Sequence, residues 1–565
     1  MNTVVLAALL VAGVFFRIPL LLHSAYYSSD TAILDLMAAH FSQGQFCFYY
    51  WAESYYGVLD PFLLMPLFRW FGYSPQVSQL IPFLFSIVFL FLYHAYIRSI
   101  AKPWVAHVAT LWLAIPSPYF ARYTFGTYNY IFGLIFGMGS FVLAQRLFIT
   151  KTKSNVAALA FGLLAGFSWY YFRFILFFWV AIALSCLFQK RIAPVPPVKE
   201  GMRDVFTLRG CSLSPRWRRF LVLVNGANVL NALFALFLWL HGNLTVNAGA
   251  LEMKFFFWAT AKISLEVGAV VLCIAYPQWI GLKIRQAWQN SQIRFIVIGF
   301  VIGYVPAIAA SLWGYGALSP GKMASLPVVI KNSQIIFRDI LPQMLWYGNT
   351  GWERWLICVV VLSGIGMLLW RFIQSGRNRH HRSNSLPFML SLFVVNLLMC
   401  IFCNELGNES NGRYLLPFYI AIPLGIAWFM ERLPRWGKVV GASLISICLV
   451  QAVKANQLFC AQSDIDNYTL LGQSLIKEGI RGGYADYWVA YKMTALMRES
   501  LIIAPNGYKN RYQPYIDYVG SLPAIVMLGG PLDPTRQTIT ILGHTYKILR
   551  QNKQFGFLTT YLKRL

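Results

Sequence analysis

The sequence predicts a mainly α-helical, polytopic membrane protein with about thirteen spanning helices and a small α/β domain at its C-terminal end. Three observations lead there. Apolar stretches near the ~20 residues needed to cross a bilayer recur from Thr3 to about Val453. Only 12% of the 565 residues are charged and 58% are hydrophobic, whereas roughly a quarter of a soluble domain is charged. Beyond residue 455 the chain turns polar and stays so to Leu565. This divides it into a membrane domain, 1–455, and a C-terminal domain, 456–565, long enough to bury its own core.

Met1 to His23 reads as a retained first helix rather than a signal peptide. Its apolar region is long, Arg17 comes late within it, and no small-residue cleavage site follows. The remaining spans are expected at about 77–97, 103–118, 128–148, 155–170, 173–188, 220–241, 263–282, 294–313, 353–371, 387–403, 416–430 and 438–454. The net charge of +27 collects in alternate connections, among them Lys151 and Lys153, the run from Lys190 to Arg219, Arg377 to Arg382, and Arg432 to Lys438. Short loops rich in Lys and Arg stay in the cytoplasm. The N-terminus is therefore expected inside and the C-terminal domain outside the cell membrane. This use of the charge also argues against a nucleic-acid partner.

The first outer loop, 24–76, is the longest outer loop of the membrane domain. Ile33, Leu36, Met37, His40 and Phe41 recur at helical spacing, so Thr31 to Ser42 is expected as a helix along the membrane interface. A second amphipathic segment runs from about Gly57 to Trp70, and the aromatic cluster Tyr49 to Tyr56 suits the headgroup layer. In the C-terminal domain, Asn467–Glu478 and Trp488–Met497 read as helices. Gly483–Asp486, Leu501–Ala504, Ala524–Leu528 and Thr538–Leu542 read as strands.

Acidic residues are scarce, 20 in the whole chain, yet Asp30, Asp35, Glu53 and Asp60 all fall in this first loop. Ser29 and Asp30 stand where an N-cap belongs. Asp30 thus reads either as a cap or as a general base that takes a proton from an attacking hydroxyl. Asp35 reads as a solvated helix residue. Such a reaction needs cations for a leaving phosphate, and outer-face cations are few. Arg413, with Tyr414 in RYLLPFY, opens a span; Arg122 and Arg173 sit at similar positions. Each reads either as a phosphate ligand or as a headgroup anchor. No GxGxxG, P-loop, HExxH or GxSxG context occurs. The nine cysteines show no metal or redox spacing, and Cys47 and Cys460, both expected outside, are one candidate disulfide pair.

The run SSDTAILDLMAAHFSQGQFCFYYWAESYYGVLDPFLLMPLFRWFG resembles the first outer loop of GT-C class membrane glycosyltransferases. More narrowly, it resembles those related to dolichyl-phosphate-mannose protein mannosyltransferases and aminoarabinose transferases. The matching positions are Asp30, Gly44, Tyr56, Gly57 and Asp60. RYLLPFY at 413–419 is similar to the family's late outer-face motif, and GGYADYWVAYKMTALMRESLIIAP at 482–505 to the start of its outer domain in some bacterial members. The resemblance implies inverting transfer of a sugar from a polyprenyl-phosphate carrier to a glycan, lipid or protein acceptor on the outer side, with Asp30 as base. It also implies Tyr56, Asp60, Arg413 and Tyr414 as donor- or acceptor-binding residues; Glu53, and Arg122 and Arg173 from their outer-face positions, are the further candidates. Many relatives carry an acidic pair where this chain has Asp30 followed by Thr31; Glu53 is the candidate for the second carboxylate. No cofactor is needed. Convergence of Asp30, Glu53 and Asp60 would make room for a divalent metal, although the arginines favour a metal-independent site. The rival function is a transporter or flippase of lipid-linked saccharides, for which broken helices and internal repeats are expected.

Overall fold

The computed structural model describes residues 2–53, 56–126, 128–150, 152–191, 224, 244–248, 251–255, 288–312, 326–340, 362–370, 386–402, 409–461, 465–507, 510–529 and 536–565. The spans expected at 220–241 and 263–282, and half of that at 353–371, lie outside them.

The membrane part is built from α1 (Asn2–Leu22), α2 (Ser29–Ser42), α3 (Leu59–Phe71), α4 (Pro75–Ile100), α5 (Pro103–Ala114), α6 (Pro118–Phe125), α7 (Tyr128–Ala144), α8 (Asn155–Tyr171) and α9 (Leu176–Arg191). It continues with α10 (Ser291–Leu312), α11 (Leu326–Gln334), α12 (Leu386–Phe402), α13 (Ile422–Arg432) and α14 (Arg435–Ala461). Among the described residues, five helical stretches are long and apolar enough to cross a membrane: Thr3–Leu22, Pro75–Ile100, Asn129–Ile149, Ser291–Ala310 and Gly412–Arg432. The single span expected at 103–118 is replaced by two helices. Pro116 and Pro118 break the run, leaving the 12 residues of α5, roughly 18 Å of helix against a ~30 Å hydrocarbon core.

Serines start many of these helices. The hydroxyls of Ser28, Ser74, Ser117 and Ser154 accept from the N–H groups of Thr31, Val77, Phe120 and Ala157, satisfying donors that the first turn leaves free. Arg17, fully buried in α1, does the converse. Its guanidinium donates to the carbonyls of Leu113 and Ala114 at 2.8 and 2.5 Å, closing the C-terminal end of α5. Helices α8 and α10 meet backbone to backbone. A Cβ at Gly162 or Gly166 would lie 2.1 Å from the carbonyl oxygens of Ile296 and Phe300, and one at Gly299 or Gly303 would lie 2.4 Å from those of Leu159 and Leu163.

Outside this bundle, β1 (Leu244–Ala248) and β2 (Leu251–Phe255) form an antiparallel hairpin. The C-terminal segment holds α15 (Ile465–Lys477), β3 (Gly482–Ala485), α16 (Tyr487–Leu496), β4 (Ile502–Pro505), α17 (Gln513–Ser521), β5 (Ala524–Leu528), β6 (Thr538–Ile541), β7 (His544–Gln554) and β8 (Phe557–Arg564). The six-stranded sheet runs β4-β3-β5-β8-β7-β6. Strand β3 is parallel to β4 and β5, and the later strands pair antiparallel. Helices α16 and α17 supply the crossovers that parallel strands require. Leu471, Leu475, Met493, Ile503 and Val526 are buried together in its core. Helix α17 and the strands β7 and β8 were not expected from sequence.

Helix α2 packs against α3 and against α16. Eleven of its fourteen residues are buried, so it is enclosed by protein rather than laid along the interface. Gly44, at φ +84°, ends it: Gly44 N–H bonds to Phe41 O and Gln45 N–H to His40 O, each at 3.0 Å, a left-handed C-terminal cap that favours glycine.

Candidate active site

The cap of α2 is Ser28, not Ser29 or Asp30. Ser28 and Thr31 also donate to the carbonyl of Gly126 at 3.3 and 2.5 Å, tying the start of α2 to the end of α6. Asp30 is thereby left in the first helical turn with its carboxylate free for other partners. Its Oδ1 accepts from the Tyr487 hydroxyl, while Tyr50 donates to its backbone carbonyl at 3.4 Å.

Arg413 comes within electrostatic range of Asp30. Asp30, Tyr130, Tyr414 and Tyr123 all lie close enough to act electrostatically on its guanidinium, which stands 5.5 Å from the centre of the Tyr414 ring. Its Nε is buried without a hydrogen-bond partner, as are the Tyr119 hydroxyl and Asn129 Oδ1. The Tyr119 hydroxyl lies against Gly412, 2.5 Å from where a Cβ would be, so it is next to Arg413. Asn129 precedes Tyr130 in the chain. Two unmet polar atoms, Arg413 Nε and the Tyr119 hydroxyl, are therefore neighbours at the 409–415 turn. Buried polar atoms are almost always paired, and both Arg413 Nε–H and the Tyr119 hydroxyl can donate, so they suit an anionic group such as a phosphate.

The other predicted residues separate into distinct places. Glu53 is ion-paired with Arg511, whose guanidinium lies 5.6 Å from the Tyr50 ring and 5.9 Å from that of Tyr487. It is thus linked to Asp30 through Arg511 and Tyr487 and forms no carboxylate pair with it. Burial alone would weaken the Arg511 charge, but Tyr50, Tyr487 and Glu53 outweigh it and raise its pKa. Asp60 is fully buried. Tyr56 donates to it at 2.7 Å, and Tyr171 to both of its oxygens at 2.8 Å. Burial pushes its pKa up to about 7 against these bonds. Tyr56 and Asp60 are therefore held in a buried clasp between the first loop and the end of α8. Asp35, expected in solvent, is also fully buried. It accepts from Tyr27 at 2.7 Å and Ser78 at 2.5 Å, and burial pushes it up to about 7 as well. Arg122 is exposed, 5.7 Å from the Tyr123 ring. Arg173 stands 5.5 Å from the Trp169 ring, near Tyr49 and Tyr304.

Asp30, Glu53 and Asp60 do not converge as a metal site would need. Among the described residues no group of three or more His, Cys, Asp or Glu could hold an ion. Cys47 and Cys460 are both free thiols; Cys460 packs with Leu20, Tyr26, Ala121 and Phe125. A cleft of ≈ 210 Å³ opens between α2 and the end of α16, lined by Asp35, Tyr73, Arg498 and Glu499 among others. It is a poorer reaction site, because Asp35 already accepts two hydroxyl hydrogen bonds and its raised pKa keeps much of it protonated near neutrality.

The residues that sequence reasoning missed belong to the C-terminal segment. Tyr487 and Arg511 reach the first loop as described, and Glu499 joins His40 at 3.0 Å and the Tyr515 hydroxyl at 2.5 Å. Trp51 stacks on Tyr512 with ring centres 4.1 Å apart. The GGYADYW run was the available signal, read as the start of a domain rather than as part of a site.

No family model and no curated protein matches this chain. Solved structures with a similar course include an archaeal oligosaccharyltransferase, AglB from Archaeoglobus fulgidus, in complex with an inhibitory peptide and a dolichol-phosphate. It is 11% identical, with a TM-score of 0.46 over 93% of this chain and 69% of that one. A complex of the Archaeoglobus fulgidus oligosaccharyltransferase with Zn and sulfate gives 12% identity and a TM-score of 0.45, over 93% and 67%. ArnT from Cupriavidus metallidurans bound to undecaprenyl phosphate gives 11% and 0.38, over 99% and 97%. At these identities and TM-scores the likeness bears on neither activity nor substrate.

Proposed function

We propose that this chain is an integral membrane glycosyltransferase of the GT-C type that transfers a sugar from a polyprenyl-phosphate donor to a glycan, lipid or protein acceptor on the extracytoplasmic side. One observation carries the reading: Asp30, held in the first turn of α2, lies within electrostatic range of Arg413, whose buried Nε has no partner. The acceptor hydroxyl attacks the anomeric carbon from the side opposite the phosphate and gives its proton to Asp30. The bond from the anomeric carbon to the phosphate oxygen breaks, and polyprenyl phosphate leaves with its charge met by Arg413. The configuration inverts. Tyr414, beneath the arginine, and Tyr119 complete the donor side. The lipid chain stays in the bilayer while its headgroup reaches this site.

In this reading the chain crosses the membrane an odd number of times, with the N-terminus in the cytoplasm and residues 456–565 outside as a domain over the active site. The test is to incubate purified protein in liposomes with a panel of radiolabelled undecaprenyl-phosphate monosaccharides and membrane extract. Transfer to extract, or release of sugar to water, supports the enzyme. Passage of donor across the bilayer with its glycosyl bond intact assigns a transporter instead.

A further inference from the structure

The carboxylate read above as the base is already engaged by the C-terminal segment. The Tyr487 hydroxyl donates to Asp30 Oδ1, and Ser29 Oγ donates to the carbonyl of Trp488 at 2.7 Å. Two consecutive residues at the start of α16 thus hold two consecutive residues at the start of α2. The aim of Tyr487 is fixed from several directions. Asp486 caps α16 through the Trp488 N–H at 2.9 Å. The Tyr487 ring stands edge-on to Trp488 and Tyr491 at 5.0 and 5.6 Å. Arg511, tied to Glu53 of the first loop, lies 5.9 Å from its centre.

A phenol hydroxyl on a carboxylate is the same donor–acceptor pair that an attacking hydroxyl must form with a general base before it gives up its proton. Burial, reinforced by the Asp30 charge, raises the Tyr487 pKa, so its hydroxyl acts as a donor and cannot serve as a second base. The hydroxyl also occupies one oxygen of the base, Oδ1. Water reaching Asp30 beside a bound donor would discharge the sugar uselessly, and a hydroxyl that yields only to a better-held acceptor prevents this.

We propose, resting on the reading of Asp30 as the base, that Tyr487 is a positioning residue that occupies the acceptor-hydroxyl place on Asp30 in the resting protein. An acceptor enters by displacing it, and the C-terminal segment controls access to the base. Glu53–Arg511 and Ser29–Trp488 act as its ties, returning Tyr487 to Asp30 when product leaves.

The test compares wild type with Tyr487→Phe, which keeps the ring contacts and removes one oxygen. Two quantities are read in the full-length protein. The first is labelling of Asp30 by a water-soluble carbodiimide with glycine ethyl ester, located by peptide mass spectrometry, which needs no donor. The second is release of sugar to water from the radiolabelled undecaprenyl-phosphate monosaccharides. Tyr487→Phe should melt with wild type and raise both by roughly tenfold, the scale of one charge-assisted hydrogen bond. Adding Asp30→Asn should abolish the release. If Tyr487→Phe fails to fold, Ser29→Ala carries the same prediction with a smaller rise. Unchanged labelling while wild type turns donor over overturns the gate alone. Raised labelling with slower release also overturns it, because the hydroxyl would then be required for turnover. Raised labelling with no release from any donor in any variant overturns the base reading and the gate together.

Discussion

Asp30 can be tested without disturbing the fold, because Ser28 rather than Asp30 caps α2. Asparagine there keeps an oxygen for the Tyr487 hydroxyl and loses only the ability to take a proton. Asp30→Asn should therefore melt like wild type while turnover falls by about 10²–10⁴-fold; near-wild-type turnover would remove Asp30 as the base. Arg413→Lys keeps the charge but loses the planar fork that binds phosphate two-pronged. Its donor KM should rise with little change in melting, and an unchanged KM would reduce Arg413 to a headgroup anchor. The two buried acids give a separate, titratable signal. Asp35 and Asp60 have folded pKa values of about 7, well above the ~3.9 of an unfolded aspartate. Between those values the folded chain holds protons that the unfolded chain has released, so stability falls as pH rises and levels off above about 7. Melting temperature should drop from about pH 5 to about pH 7, and Asp35→Asn and Asp60→Asn should each flatten the slope. A flat wild-type profile would refute this. Asp30 stood out in the sequence as a candidate because acids are rare and it begins a helix. The burial of Asp35 and Asp60 was not legible, since their partners Ser78 and Tyr171 come from α4 and α8, and no spacing reveals a hydroxyl arriving from another helix.

Hydropathy made the long helices legible, and α1, α4, α7 and α10 lie where apolar runs near 20 residues place them. It failed where windows averaged over a break, as at Pro116 and Pro118. It also failed at β7, HTYKILRQNKQ, whose polar and basic side chains dominate a largely exposed strand, hiding the alternation that marks a half-buried one. The α8–α10 pair was legible only in part. Gly162 and Gly166 stand four apart, as do Gly299 and Gly303, but the pattern acquires meaning once the two stripes face each other. With each Cβ position within 2.4 Å of a carbonyl oxygen on the partner helix, even a methyl must push the backbones apart. In a bilayer such close packing of small residues drives helix association. Gly166→Ala should cost about 1–3 kcal/mol and lower the melting temperature in detergent. Gly366→Ala is the control, because nothing lies within 4 Å of its Cβ position and alanine is favoured in a helix. If both variants melt alike, the contact is looser than this geometry.

The first loop and the C-terminal segment must lie on the same side of the membrane. Asp30–Tyr487, Ser29–Trp488, His40–Glu499 and Glu53–Arg511 are direct side-chain contacts between them, and no such contact can pass through a hydrocarbon core. The number of crossings between residues 53 and 487 is therefore even, whatever the exact count. The positive-inside pattern, read independently from basic loops, also requires an even number there: twelve of the thirteen expected spans follow the first loop, which returns the chain to the side it left. Counting hydrophobic runs left the parity exposed to a single missed or invented span. The loss of 103–118 as one full-length span shows how easily that happens, and contacts across the sequence restore the constraint. Reporter fusions at Gly44 and Gly507 should report the same compartment, and one at Gly210, within the basic run from Lys190 to Arg219, the opposite one. Opposite compartments for Gly44 and Gly507 would break the contacts that join Asp30 to Tyr487, and with them the site. Agreement of all three would leave the contacts standing and overturn the charge-based orientation. The expected pattern would put Asp30, Arg413 and Tyr487 on the outer face, as the proposed function requires.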